Sequence, residues 1–285
     1  MKRLSGIFSS PKTTFQVLSD LHLNHDSQYL TFHIPVTSPY LILAGNIGRL
    51  IDYESYLSFL IRRCNLYERV FFVLGSLEFH GLAIPDGLEL ARKLEQEDRL
   101  KGRLILLDKR RVDVPDTEIS LLGCTLWSNI PEDAESAVLK KVPEFDKAQG
   151  IRDWSIKSHN AAYVTDLAWL LSEVKRNTSS STTTRTLVVV TSFAPELREA
   201  LPPWQVGSPW CSAYGTELLR GIDWAGVKVW LCGSTGRTGE FKKYGVKVVS
   251  NQRGCVGEEE KGLLRDGLAE KEKRGLFDVT KVIKV

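Results

Sequence analysis

The residues best suited to chemistry stand at the ends of apolar runs. Residues 15–23, FQVLSDLHL, close on Asp20 and His22, a carboxylate and an imidazole two positions apart. Such a pair can serve as acid and base or can ligate a cation. Residues 40–48, YLILAGNIG, end at Asn46, and residues 69–81, RVFFVLGSLEFHG, end at Ser76, Glu78 and His80. Later runs end at Ser192 and at Ser234 and Thr235, and Arg237 and Arg253 follow near the last of them. In an alternating α/β chain, ligands and catalytic groups gather where strands stop.

The elements that must position these residues read as follows. Strands are expected at 15–20, 40–44 and 70–74, with helical spacing between them at 53–64 and after them at 87–100. This β-α-β-α opening predicts a parallel sheet. Residues 104–107, 111–114 and 119–127 read as strands between charged turns, and 128–151 as a polar excursion over the site. A long helical pattern covers 154–176, followed by a low-complexity polar loop at 177–185. Strands at 187–191 and 227–232 flank a loop, 199–215, whose Trp204 and Trp210 are suited to roofing a pocket. A short helix is expected at 215–221 and a hairpin at 241–251 turning at Tyr244-Gly245. The domain reading is a flexible lead-in over 1–13, one domain over 14–256, and a tail over 257–285, charged up to Arg274 and ending in a strand-like stretch.

Bulk properties exclude several classes. The composition, 42% hydrophobic and 26% charged, is that of a globular protein, and a net charge of +3 is too small to argue for a nucleic-acid partner. No apolar run reaches the roughly 20 residues of a membrane helix. The N-terminus lacks the apolar core of a secretory signal, and the five cysteines form neither a CxxC pair nor a zinc pattern. A reducing, cytoplasmic location is expected, with the sequon at Asn177 idle.

In order, the segments SDLH, LAGN, VLGSLE, VVTSFAP, GSTG and FKKYGVKVVSN resemble the calcineurin-like metallophosphoesterases, from about residue 15 to 254. Members carry D-x-H, G-D, G-N-H-E, a later His and G-H-x-H, each at a strand end. The resemblance implies an α/β fold, a four-layer, two-sheet β sandwich flanked by helices. It also implies two metal ions bridged by a carboxylate, which generate the nucleophile and clamp the displacement. Asp20 and His22 match. Asn46 stands at the bridging Asp, Ser76 and Leu77 at the Asn and His of G-N-H-E, Ser192 at the later His, and Ser234 and Gly236 at the last two histidines.

Losing even a supporting partner of a ligand costs about 10- to 100-fold in metal affinity. Five lost ligands, at about 1.4 kcal/mol or more each, sum to roughly 7 kcal/mol or more. The expectation is no cofactor, at most one weakly held divalent ion at a vestigial Asp20, His22 and Asn46. With their partners gone, Asp20 and His22 are expected to satisfy turn amides and carbonyls. The strand ends should still surround a polar pocket of Asn46, Ser76, Glu78, His80, Ser192, Ser234, Thr235, Arg237 and Arg253. That pocket would bind a small molecule or a protein partner, with neither nucleic acid nor membrane involved. One alternative keeps Asp20 and His22 as a catalytic pair in metal-independent isomerase, lyase or cyclase chemistry on an apolar metabolite. In that reading Arg237 or Arg253 binds an anionic group, and Phe193, Trp204 and Trp210 form a lid. Another retains residual metal-dependent phosphoesterase activity.

Overall fold

The structure is a computed structural model that describes residues 12–179, 184–254 and 275–285. The charged stretch 257–274, nearly all of the lead-in and the centre of the polar loop lie outside the described residues. The described strands are β1 (Thr14–Leu18), β2 (Tyr40–Ala44), β3 (Arg69–Val73), β4 (Leu104–Leu106), β5 (Arg110–Asp113), β6 (Ile119–Cys124), β7 (Thr186–Thr191), β8 (Val227–Cys232), β9 (Gly239–Lys243), β10 (Val246–Ser250) and β11 (Val282–Lys284). The α-helices are α1 (Tyr53–Leu66), α2 (Ile84–Gln96), α3 (Glu135–Lys141) and α4 (Ile156–Ser179).

Two mixed sheets form, in the orders β11-β1-β2-β3-β4 and β5-β6-β7-β8-β10-β9. Strands β1 to β4 run parallel in the first sheet, and β6, β7, β8 and β10 in the second; antiparallel strands edge both. Side-chain alternation explains the unbroken apolar runs. In β2, Ile42 and Ala44 face the second sheet, while Leu41 and Leu43 pack in the cluster that holds α1 and α2. In β7, Val188 and Val190 face inward and Leu187 and Val189 pack outward in the cluster that includes Leu170 and Val174 of α4. Strands buried on both faces carry no polar alternation. The result is the expected four-layer sandwich of helices, sheet, sheet and helix.

One expectation needs correction. Residues 215–221 form no helix: Gly215 bridges to Ala194, and the Thr216 and Leu218 amides bond the carbonyls of Ala194 and Pro195. A seven-residue stretch bounded by glycines is too short to offset helix nucleation when tertiary partners compete for its amides. The excursion 128–151 carries α3, whose Val138 packs in a small core with Ile130 and Val142. The strand-like stretch expected at 277–285 contains β11. Strand β11 pairs antiparallel with β1, Asn251 Nδ2 donates to the Asp278 carbonyl and Gln16 Nε2 to that of Val279. The expected hairpin forms, with Tyr244 and Gly245 at φ 47° and 86°, the doubly positive pattern of a two-residue turn.

Deleting residues 277–285 should therefore lower stability by ~3 kcal/mol or more, since Ile283 alone is buried and worth ~2 kcal/mol. Urea unfolding of the full and shortened chains measures this; equal midpoints would show β11 to be dispensable.

Candidate functional site

Five chain segments meet where the two sheets end side by side: β1 delivers Asp20, β2 Asn46, β3 Ser76, β7 Ser192 and β8 Ser234. Asp20, His22, Asn46 and Ser234 all adopt left-handed backbone, at φ 51°, 48°, 55° and 62°. Asp and Asn tolerate that region best; His and Ser pay more, ~1 kcal/mol or above. Glycines permit the crowding. A Cβ on Gly75 would stand 2.3 Å from Asn46 Oδ1, and one on Gly233 would stand 2.4 Å from Asp20 Oδ2.

Glu78, fully buried, sits beneath this cluster. Its carboxylate accepts the backbone N–H groups of Gly75 (2.7 Å), Asn46 (2.9 Å), Ile47 (2.7 Å) and Gly48 (3.3 Å), and the Tyr56 hydroxyl (3.0 Å). Burial raises its carboxyl above the ordinary carboxylate range, and the four amides offset only part of that. All five neighbours donate and a protonated oxygen would need an acceptor, so the geometry holds the anion.

Asn46 is fixed from both ends. Its Oδ1 accepts the Leu77 N–H at 3.0 Å, which sets the amide orientation and turns Nδ2 toward Asp20 Oδ1 (2.9 Å) and Ser234 Oγ (3.0 Å). Ser234 N–H donates to both Asp20 oxygens at 3.1 Å, and Ser234 Oγ lies 2.9 Å from Ser192 Oγ. The amide hydrogens thus face Asp20 and Ser234. Among the described residues, no group of three or more His, Cys, Asp or Glu is placed to hold a metal ion.

Above this floor opens a cavity of about 300 Å³. Asp20, His22, Asn46, Ser76, His80, Ser234 and Thr235 line it, whereas Glu78 and Ser192 lie beneath. The two arginines do not reach it. Arg237 donates to the carbonyls of Glu199 and Leu201, and Arg253 donates to the Leu21 carbonyl and stacks 4.6 Å from the Phe32 ring. Phe193 is in the wall, but Trp204 is 80% exposed and Trp210 packs on the α3 core beneath Lys141. Gln205 and Tyr214, from the same loop, close the cavity instead. Glu144, from the excursion, also enters, its Oε1 accepting from Ser76 Oγ at 2.5 Å. Spacing gave no signal for Glu144, Gln205 or Tyr214; only the reading of their loops as covering segments pointed there.

Burial sets the electrostatics. It raises the Asp20 carboxyl to about 6 against the hydrogen bonds from Asn46, Ser234 and Ser19. It lowers His22 to about 4, with His25, His80 and Arg253 adding repulsion, and lowers His80 as well. Behind Phe193, His159 is caged by Trp127, Trp154, Phe145 and Phe193 at 5.2–6.0 Å. Its Nε2 accepts the Ser128 N–H at 3.1 Å, and burial lowers it to about 3.

No family model matches this sequence. The chain is 24% identical over 231 residues to the uncharacterized protein L509 of Acanthamoeba polyphaga mimivirus, covering 75% of this chain and 78% of the viral one. Its fold is similar to the crystal structure of the phosphopantetheinyl hydrolase PptH from Mycobacterium tuberculosis. That match has a TM-score of 0.62 and 15% identity, over 93% of this chain and 96% of the hydrolase. At that identity the likeness establishes the fold, a metallophosphoesterase-like sandwich, in agreement with the motif order.

Two measurements probe the site's supports. Glu78→Gln puts an N–H₂ among donors and should cost ~3 kcal/mol in urea unfolding; a near-zero penalty would contradict the anionic anchor. For His159 the folded value lies below the free value of 6.5, so acid protonates the unfolded chain first and the folded state loses stability below pH 6.5. His159→Gln escapes that loss. Its destabilisation relative to the parent should shrink by ~3 kcal/mol between pH 7 and 4, and a pH-independent penalty would refute the neutral cage.

Proposed function

We propose that this chain is a metal-independent binding protein on a metallophosphoesterase-type scaffold, its strand-end cavity taking a small ligand. The observation that carries this reading is the orientation of Asn46. A bridging ligand between two cations must supply negative charge and lone pairs, and here an amide offers two N–H donors, held by the Leu77 amide. The same donors already satisfy Asp20 and Ser234, so the polar groups close on one another without an ion. Leu77, in the cavity wall, can neither transfer a proton nor hold a phosphate oxygen. The cavity volume of about 300 Å³ falls at the small end of ligand sites, whose range is ~300–1,000 Å³.

A second reading rests on Asp20, which titrates near neutrality at about 6 and lines the cavity. Such a carboxyl suits general acid–base work in metal-independent catalysis on a bound metabolite. Cys64, Cys124 and Cys232 are free and buried, which favours the reducing cytoplasm as the setting. Among the described residues no helix is long and apolar enough to cross a membrane.

Elemental analysis of purified protein should find no stoichiometric Mn, Fe or Zn. Chelator should leave its melting temperature unchanged, and added Mn²⁺ should produce no turnover of bis-p-nitrophenyl phosphate. Tightly bound metal together with turnover would sink the proposal and restore the hydrolase reading.

A further inference from the structure

We propose that the ligand of this cavity is a small organic amine, its ammonium group seated beside Glu144 and its apolar body against Leu77, Phe193 and Tyr214. This rests on the metal-independent reading above and names the ligand class.

Formal charge points that way. Among the described residues the lining contains the carboxylates Asp20 and Glu144 and neither lysine nor arginine. The nearby arginines are directed at Glu199, Leu201, Leu21 and Phe32. The backbone amides that an anion would need are also taken. Ser234 N–H serves Asp20, Thr235 and Gly236 N–H serve Gln252 Oε1 at 3.0 and 2.7 Å, and Leu77 N–H serves Asn46. A phosphate entering this cavity meets two carboxylates and few free donors.

The clear unpartnered acceptor is Glu144: its Oε1 is bonded to Ser76, but Oε2 is shielded from solvent without a hydrogen bond. His80 Nε2 is also buried without a hydrogen bond, its role set by the tautomer, and the His80 ring interacts electrostatically with Glu144. Their side chains line the same cavity. Glu144 is not a stray surface group: its carbonyl accepts the Ile151 N–H at 2.9 Å, and the adjacent Phe145 packs 5.9 Å from His159. A buried carboxylate oxygen without a donor is costly, and an ammonium brings three N–H donors with compensating charge. A divalent ion fits less well, since it requires several converging lone pairs that this lining does not supply. The Phe193 and Tyr214 rings suit both an apolar body and a neighbouring cation.

The test compares one body with three head groups: 2-phenylethylamine, 2-phenylethanol and 2-phenylethyl phosphate, by calorimetry and thermal shift at pH 7.5 with EDTA. The amine should bind and raise the melting temperature, the alcohol bind more weakly, and the phosphate not bind. Glu144→Gln should weaken the amine ~10-fold or more and the alcohol by a smaller factor. Phosphate binding tighter than the amine in EDTA would overturn the amine assignment and leave the metal-independent pocket standing. Phosphate binding that appears only with added Mn²⁺ would overturn both. Binding of none of the three, or an amine affinity unaltered by Glu144→Gln, would overturn the amine site alone.

Discussion

The buried carboxylate of Glu78 is the constraint on which the rest of the site depends. Its two oxygens gather amides from the turn after β2 and from Gly75 after β3, and the Tyr56 hydroxyl from α1. Two parallel strand ends and a helix are thereby tied to one anion in a place without solvent. The Asn46 backbone is held in its left-handed conformation by this anchor, and the side chain it presents is held by Leu77. The charge that fixes the site's shape thus lies below the cavity, out of a ligand's reach.

The fold was legible because its strands are buried twice. A strand such as β2 or β7, covered by a sheet on one side and helices on the other, appears as an unbroken apolar run ending abruptly at glycine and polar residues. The order of those endings pointed to the sandwich, and Asp20, Asn46, Ser76 and Ser234 meet because strand ends must. Elements without periodicity were hidden. Helix α3 lies in a polar stretch with few apolar positions, and residues 215–221 carry a helix-compatible sequence whose amides find partners in residues 194 and 195. The same limit applies to the cavity wall. Glu144, Gln205 and Tyr214 arrive on loops whose path depends on tertiary contacts. Arg237 and Arg253 have the right place in the chain, but their side chains turn to carbonyls and an aromatic face elsewhere.

Burial and hydrogen bonding act on the site in opposite directions. Desolvation makes the Asp20 carboxyl easier to protonate and His22 harder. A neighbourhood that discourages charge on both partners does not form an ion pair of them at neutral pH, despite their spacing of two residues. The imidazole of His159 behind Phe193 follows the same rule, and its neutral state lets four aromatic rings close around it as an apolar wall.

The pinned amide of Asn46 also governs which sequences are reachable from this one. Exchanging it alone for aspartate puts a second anion about 3 Å from Asp20 Oδ1, with Leu77 still claiming one oxygen and no histidine at 192 or 234 to share a cation. That exchange is penalised by electrostatic repulsion unless a cation or a proton joins the two carboxylates. The floor of the cavity therefore tolerates this one-atom exchange of amide for carboxylate less well than an exposed position would.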